Sequence, residues 1–294
     1  MAQWSRPVEI PNQSSKTTAA LAVIRSLLHM VHLGASSDNL WHSYWIPATQ
    51  EWSENLPLFR QSCGRVALGQ DGLLVYQATQ TNPDGARPLA YSVFDGGWPN
   101  SKLLPDIPVA SDVPAVALTS DAPAVALTSE NTWAVVRQVP HQGYLLAGAS
   151  YGLRLGRPST VDLIETSVLD ELSAKVPALA LDRQSRLHMV YLNKGSKELW
   201  HSFGNSVKPI PNQSSRDVPA MAFHNNALHM VHIGADSDKI WHSWFDFDRG
   251  KWSDNVPIDN HLSNKPPALA SYDGVLHMVH KGHRSNRIWH SMYK

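Results

Sequence analysis

The chain has 294 residues and a formal net charge of zero. Hydrophobic residues make up 43% of it and charged residues only 17%, below the usual quarter of a globular chain. This balance gives no electrostatic footprint for nucleic acid and no polybasic surface for an anionic membrane. We therefore expect neither of these partners, and we expect no cofactor.

Cys63 is the sole cysteine, which rules out an intrachain disulfide and a metal cage built from several cysteines. The first residues, Met1 to Pro7, hold no apolar run of the kind found in signal peptides. No stretch of about 20 apolar residues is present either. We expect synthesis in the cytoplasm, no membrane insertion and, if the protein is released, a route that needs no signal peptide.

One motif is repeated along the chain. A run of the type Leu-His-Met-Val starts at Leu28, Leu187, Leu228 and Leu276, and a Trp-His-Ser triplet follows each Leu at the same distance. The triplets are Trp41-His42-Ser43, Trp200-His201-Ser202, Trp241-His242-Ser243 and Trp289-His290-Ser291. A short Ala-rich run precedes each copy, and a Trp-Ser segment follows two of them. Each unit thus holds four runs of strand length, separated by turn residues, and no window has a helical period.

The remaining sequence contains two degenerate copies. The intact repeats cover about 11–58, 170–209, 210–258 and 259–294 together with 1–10, and the degenerate ones about 59–106 and 107–169. Within the last of these, residues 113–121 read almost identically to 122–130. The spacing is too long there, so we expect a bulge, an extra strand or a disordered loop in the region 113–170, which is also a candidate for partner contacts.

The two ends of the chain complement each other. The last repeat stops after its third strand, and the segment Trp4–Ile10 matches the fourth-strand segment Trp252–Ile258. Such complementation joins the first and last repeats into one blade. The sequence therefore predicts an all-β fold in a single domain, 1–294: a six-bladed β-propeller of four-stranded antiparallel blades, with its ring closed by the N-terminal strand.

The repeated histidines invite a metal hypothesis. His29 and His32 are three residues apart on a strand, so they point to opposite faces and cannot hold one ion. His29 and His42 can meet across a hairpin, as can the corresponding His229 and His277 with their partners, but two imidazoles alone make a poor metal site. We expect structural histidines, hydrogen-bonded within each blade, and no metal.

Catalysis is the next alternative. An enzyme concentrates unlike residues, such as an acid, a base and an oxyanion donor, at one place. Here the distinctive residues are the same in each intact repeat, and no nucleophile motif or isolated carboxylate pair stands out. The sequence therefore predicts no enzymatic activity and no catalytic residue.

The tryptophans are the main candidates for function. Indoles fill cores, so Trp41, Trp200, Trp241 and Trp289 can simply occupy the space between blades. The functional alternative is sugar recognition, in which an indole stacks on the C–H face of a pyranose and an adjacent histidine, such as His42, His201, His242 or His290, bonds the hydroxyls. The fourth-strand residues Trp4, Trp52 and Trp252 can equally form that platform.

The pattern Leu-x-x-Val-x-x-Gly-x-x-Ser-Asp-x-Ile/Leu-Trp-His resembles the repeat of bacterial β-propeller lectins of the Photorhabdus type and, more loosely, the tectonin-like lectins. The match covers the four well-preserved repeats, about two thirds of the chain. The resemblance implies multivalent binding of fucose-like or methylated sugars in pockets between blades, often by homo-oligomers. This chain departs from the pattern in its Leu-His-Met-Val-His strand, its Ile-Pro-Asn-Gln-Ser-Ser links at 10–15 and 210–215, and its two eroded repeats.

The order of the repeats gives a site hypothesis. In a closed ring the intact repeats four, five, six and one are consecutive, so three interfaces join intact partners. We expect about three sugar sites on that arc. Two alternatives remain open: a propeller scaffold that binds another protein or belongs to a toxin complex, and a diverged glycan-processing enzyme.

Overall fold

The structure is a computed structural model. It describes residues 2–69, 72–79, 89–103, 177–193, 196–204 and 206–294 and, between them, the strand backbones at 124–129, 132–139, 147–156 and 160–169. All regular elements in these ranges are β-strands, as the short runs predict. These ranges hold no helix long and apolar enough to cross a membrane. Of the region 113–170, where we expected an irregularity, residues 113–123, 130–131, 140–146, 157–159 and 170 lie outside these ranges.

The strands pair antiparallel in three sheets of four strands, one of five and one of eight, the last spanning two repeats through its long strand β6 (Leu56–Leu68). We describe them as six units that follow the repeats. Unit 1 has β2 (Ala20–Ile24), β3 (Leu27–Leu33), β4 (Asn39–Ile46), β5 (Glu51–Trp52) and the first part of β6 (Leu56–Leu68). Unit 2 has the rest of β6 with β7 (Leu73–Ala78), β8 (Leu89–Val93) and β9 (Lys102–Leu103). Unit 3 has β10 (Ala124–Ser129), β11 (Thr132–Val139), β12 (Ala147–Gly156) and β13 (Thr160–Leu169).

The later units have the same order. Unit 4 has β14 (Ala178–Leu181), β15 (Leu187–Leu192), β16 (Glu198–Phe203) and β17 (Ser206–Ser214). Unit 5 has β18 (Ala220–His224), β19 (Ala227–Ile233), β20 (Lys239–Asp246), β21 (Lys251–Trp252) and β22 (Val256–Leu262). Unit 6 has β23 (Ala268–Tyr272), β24 (Val275–Lys281), β25 (Arg287–Tyr293) and β1 (Val8–Ser14).

The first hairpin of three units closes through a two-residue turn. Both turn residues have positive φ, as a type I′ turn requires. Asn225 and Asn226 (φ 45° and 61°) form the turn of unit 5, and Asp273 and Gly274 (48° and 69°) that of unit 6. These residue types accept the left-handed region easily, so the local sequence fixes the register of β18 with β19 and of β23 with β24.

The N-terminal strand completes unit 6. Val8 of β1 lies opposite His290 of β25, and Glu9 lies opposite Trp289. Beyond the strand, the N–H of Gln3 donates to the carbonyl of Lys294 at 2.8 Å. The match between the Trp4 and Trp252 segments predicts this pairing.

The innermost strands of neighbouring units contact one another. Contacts run from β2 to β6 and onward through β10, β14, β18 and β23, and β23 also contacts β2. Small residues of the Ala-rich runs allow this approach, and a cavity of about 140 Å³ lies among the inner strands of five units. The hydrophobic core lies between units: Leu28 and Met30 of unit 1, for example, pack in one cluster with Val279 of unit 6.

Candidate functional site

A pair of histidines lies inside each well-preserved unit. In unit 1 the Nδ1 of His29 and the Nε2 of His42 are 2.8 Å apart, and the two rings are stacked. The other units repeat the contact at 2.9, 2.9 and 3.0 Å, between His188 and His201, His229 and His242, and His277 and His290. The described residues contain no group of three or more His, Cys, Asp or Glu that could hold a metal ion.

Each histidine pair packs against at least two aromatic rings of the following unit, and that of unit 4 also contacts a third, Phe247. The ring of His290 in unit 6 lies 4.6 Å from Trp45 and 5.6 Å from Trp52 of unit 1, both edge-on. The other rings that contact a preceding pair are Phe94 and Trp98, Phe245 and Trp252, and Tyr293 and Trp4. The fourth-strand tryptophans therefore pack units together, and Trp52 also lines a cavity.

Burial keeps these histidines neutral. It lowers the pKa of His29 and His42 to about 4 and that of His201 to about 3. In unit 4 the proton order can be assigned: the Nε1–H of Trp252 donates to the Nδ1 of His201, so the Nε2–H of His201 donates to the Nδ1 of His188. The Nε2–H of His188 then donates to the carboxylate of Asp182 at 3.3 Å.

The serine of the triplet points the other way, to the preceding unit. Ser43 donates to the Oε1 of Gln13 at 3.1 Å, and Ser243 donates to that of Gln213 at 2.8 Å. In unit 6, Ser291 bonds the Nε2 of His261 at 2.6 Å. Sequence reasoning missed these contacts, although the repeated Ile-Pro-Asn-Gln-Ser-Ser links carried the signal.

The tryptophan of the triplet shares a face with that serine, because side chains alternate along a strand. A cavity of about 940 Å³ lies between units 6 and 1, and the half-buried Trp41 forms part of its wall. Asn12 and Ser14 of β1 line the other side, and Asn55 lines it from unit 1. We call this space groove 6/1. It combines an indole with hydroxyl and amide groups in one concave site.

A glycine fixes the position of each such indole. A Cβ on Gly34 would lie 3.1 Å from the Nε1 of Trp41, and one on Gly234 would lie 2.7 Å from the Nε1 of Trp241. Gly282 has the same relation to Trp289, at 2.8 Å. The same Cβ would lie 2.5 Å from the hydroxyl of Ser37, 2.7 Å from that of Ser237 and 2.5 Å from that of Ser285. A side chain at these positions would therefore displace the serine, the indole or both.

The same geometry defines the other grooves. Trp241 shares a face with Ser243 and so faces unit 4, in groove 4/5, whereas Trp289 shares a face with Ser291 and faces unit 5, in groove 5/6. Trp200 occupies the corresponding strand position on unit 4. Of the triplet tryptophans, Trp41 lines a described cavity, whereas the histidine pairs and the fourth-strand tryptophans pack against each other where two units meet.

No family model matches this chain, and no curated protein matches it by sequence. Many solved structures match it in fold. AofleA from Arthrobotrys oligospora matches with a TM-score of 0.63 and 11% identity over 100% of this chain and 86% of that one. The α-L-arabinanase of Penicillium chrysogenum, solved with arabinobiose, matches with a TM-score of 0.64 and 10% identity over 99% of this chain and 98% of that one.

The sialidase of Trypanosoma rangeli, in complex with the inhibitor DANA, matches with a TM-score of 0.61 and 12% identity over 99% of this chain. This chain spans 58% of the sialidase's length. The prediction that the protein is not an enzyme is wrong: sialidases, an arabinanase and a luciferin-regenerating enzyme are among its structural neighbours, so uniform repeats do not exclude catalysis. At 10–12% identity these likenesses show the fold, and the chain is a β-propeller.

Proposed function

We propose that the protein binds carbohydrate in the grooves between adjacent units. Groove 6/1 carries the proposal: Trp41 offers an aromatic face, and Asn12, Ser14 and Asn55 offer hydrogen-bonding groups in the same cavity of about 940 Å³. An indole suits the C–H face of a pyranose, and a few placed polar groups select its hydroxyls. The arabinobiose complex of a structural neighbour supports a sugar as the ligand.

We also propose that the six units form a closed six-bladed ring. The chain of contacts among inner strands, which returns from β23 to β2, supports this arrangement. In such a ring three grooves join well-preserved units, with Trp41, Trp241 and Trp289 as their platforms. Several weak sites on one arc would bind a surface rich in glycans with high avidity. Fucose-like and methylated sugars are the first candidates, because their apolar surface suits an indole.

The grooves differ in their polar walls. Strand register makes Leu262 the counterpart of Ser14, and the N-terminal segment places Pro7 where unit 1 has Asn55. Groove 5/6 therefore lacks the hydroxyl of Ser14 and the amide of Asn55, but its link has His283 and Arg284 where groove 6/1 has Ala35 and Ser36. We expect the two grooves to differ in their affinity for the same sugar.

A glycan array followed by titration calorimetry tests the proposal. We expect saturable binding with about three sites per chain. Trp241→Ala should remove one site and lower the melting temperature less than Trp252→Ala does, although both indoles are half-buried. The matched control Trp252→Ala should lower the melting temperature, since that indole packs against His201 and Phe245.

Two results would contradict the proposal. One is an array without any bound sugar, and the other is undiminished binding when Trp41, Trp241 and Trp289 are all alanine. The array panel also includes nitrophenyl glycosides, because release of nitrophenol would show that the protein hydrolyses a sugar as well as binding it.

A further inference from the structure

Phe59 combines two unfavourable properties. Its side chain is 93% exposed, the largest value among the exposed large hydrophobic residues of the described part. Its backbone has a φ of 52°, in the left-handed region that a bulky side chain rarely occupies. Neither property stabilises the fold. Strained residues of this kind concentrate at binding sites, where a ligand contact accounts for them.

The repeat shows what the position normally holds. The N–H of Ser62 donates to the carbonyl of Asp38, as that of Ser263 donates to Asp238 in unit 5. Three residues before these equivalent serines stand Phe59 and Asn260. The further counterparts are Asn12 and Asn212, and the three asparagines have φ values of 57°, 58° and 62°. Asparagine tolerates this backbone well, so unit 1 alone among these four has an unsuitable residue there.

The position lies at a groove. Asn12, the counterpart of Phe59, lines groove 6/1 on the wall opposite Trp41. Arg60, the next residue, donates from its guanidinium to the carbonyl of Trp98 at 3.0 Å and also to that of Pro99. These bonds reach from unit 1 to unit 2 and hold Phe59 at the boundary between the two, which we call groove 1/2.

The opposite wall of groove 1/2 has lost its indole. Phe94 packs against the histidine pair of unit 1 as Trp45 packs against that of unit 6. Ala90, four residues before Phe94, is therefore the counterpart of Trp41, four residues before Trp45. Unit 2 thus has the buried Ala90 where unit 1 has the indole of groove 6/1, and unit 1 has a phenyl group where unit 6 has the amide of Asn12.

We propose that groove 1/2 is a further carbohydrate site in which Phe59 supplies the stacking surface from the opposite wall. The inference rests on the proposed function, because it assigns the same ligand class, a pyranose with an apolar face. In groove 6/1 the aromatic surface, Trp41, lies on the third strand of the later unit, whereas in groove 1/2 the aromatic surface, Phe59, lies on the fourth strand of the earlier unit. A phenyl ring is a smaller platform than an indole, so this site binds more weakly than the others.

The test uses the full chain with Trp41, Trp241 and Trp289 all replaced by alanine, and an immobilised methyl fucoside conjugate as the probe. We expect weak residual binding, and we expect Phe59→Asn in this background to abolish it. Phe59→Asn should also raise the melting temperature by about 2 °C, because asparagine suits the left-handed backbone. Phe59→Tyr keeps an aromatic ring and should retain the binding.

Val256→Asn is the control, because Val256 is 51% exposed on a fourth strand without a positive φ, and its replacement should leave residual binding intact. Residual binding that survives Phe59→Asn overturns the inference, as does a triple variant that binds nothing while the wild-type chain binds. In both cases the proposed function stands. A wild-type chain that binds no sugar overturns both proposals. A change of sedimentation with Phe59→Asn, without a change in sugar binding, would identify a self-association surface instead.

Discussion

The buried histidines of this chain serve as packing residues with defined proton positions. A hydrogen bond between Nδ1 of one ring and Nε2 of the other needs one donor and one acceptor, so at most one ring of each pair can be protonated on both nitrogens. Burial, which lowers the pKa of both rings, favours the neutral pair. In unit 4 the chain of hydrogen bonds runs through both histidines and ends at the carboxylate of Asp182. His32 of unit 1 bonds Asn55, whereas Pro7 stands at the corresponding place of unit 6 and the Nε2 of His280 has no hydrogen-bond partner.

The glutamine between units 4 and 5 gives a prediction at this scale. Gln213 accepts from Ser243 and donates to the carbonyl of Ser253, so Gln213→Ala removes the partner of one buried hydroxyl and of one partly buried carbonyl. We expect the free energy of unfolding to fall by about 2–3 kcal/mol, measured by denaturant titration.

The matched control is Gln213→His. Unit 5 itself uses a histidine at this position, where His261 bonds Ser291. We expect the histidine variant to lose clearly less stability than the alanine variant. Equal losses would show that the hydrogen bond to the triplet serine does not stabilise the interface.

At the scale of the element, the third strand joins its unit to both neighbours. Because side chains alternate along a strand, Trp41 and Ser43 face unit 6, while His42 faces unit 2. The repeated spacing predicts such strands and groups these residues. It does not say which neighbour each face meets, since that depends on the direction in which successive units follow one another.

The link before the third strand gives the second prediction. Gly234→Ala would place a Cβ 2.7 Å from the indole nitrogen of Trp241. We expect this variant to lose sugar binding in groove 4/5, as Trp241→Ala does, while remaining folded. Titration calorimetry and a melting curve together measure both effects.

Gly97→Ala is the control, since a Cβ on Gly97 meets nothing within 4 Å. It should leave the number of sites and their affinity unchanged. If Gly234→Ala behaved like this control, the glycine would not set the position of the indole.

At the scale of the whole molecule, the neutral histidines make stability depend on pH. Burial lowers the pKa of His42 to about 4 and that of His242 and His290 to about 3, from 6.5. Below pH 6.5 the unfolded chain therefore binds more protons than the folded chain. Each such histidine lowers the free energy of unfolding by about 1.4 kcal/mol per pH unit as the pH falls from 6.5 towards its folded pKa.

We expect the melting temperature to be steady from pH 8 to about 7 and to fall steeply between about pH 6 and 4. Differential scanning calorimetry in buffers of low ionisation enthalpy measures this. A melting temperature that stays constant down to pH 5 would mean that the histidine pairs are protonated in the folded chain.

Sequence alone predicts most of the architecture, because repeated spacing marks the units and the Trp4 segment matches a fourth strand. It does not identify Phe59 as the counterpart of the asparagines Asn12, Asn212 and Asn260. The bulge of β6 is one residue shorter than those of the other units: three residues separate Pro57 from Gln61, whereas four separate Pro257 from Leu262. Sequence alignment therefore sets Phe59 opposite Pro11 rather than Asn12, and only the backbone hydrogen bonds reveal the true counterpart.

The pairing of β1 with β25 also governs the order in which the molecule can be assembled. A ribosome releases β1 first, yet its partner strand emerges only with residues 287–293. Until then Val8 and Ile10 have no sheet to join, and the histidine pair of unit 5 lacks Trp4 as a neighbour. Contacts between such distant segments close slowly. The middle units can form before residues 287–293 emerge, whereas unit 6 can be completed only afterwards, and in the interval the N-terminal segment is exposed to aggregation and proteolysis.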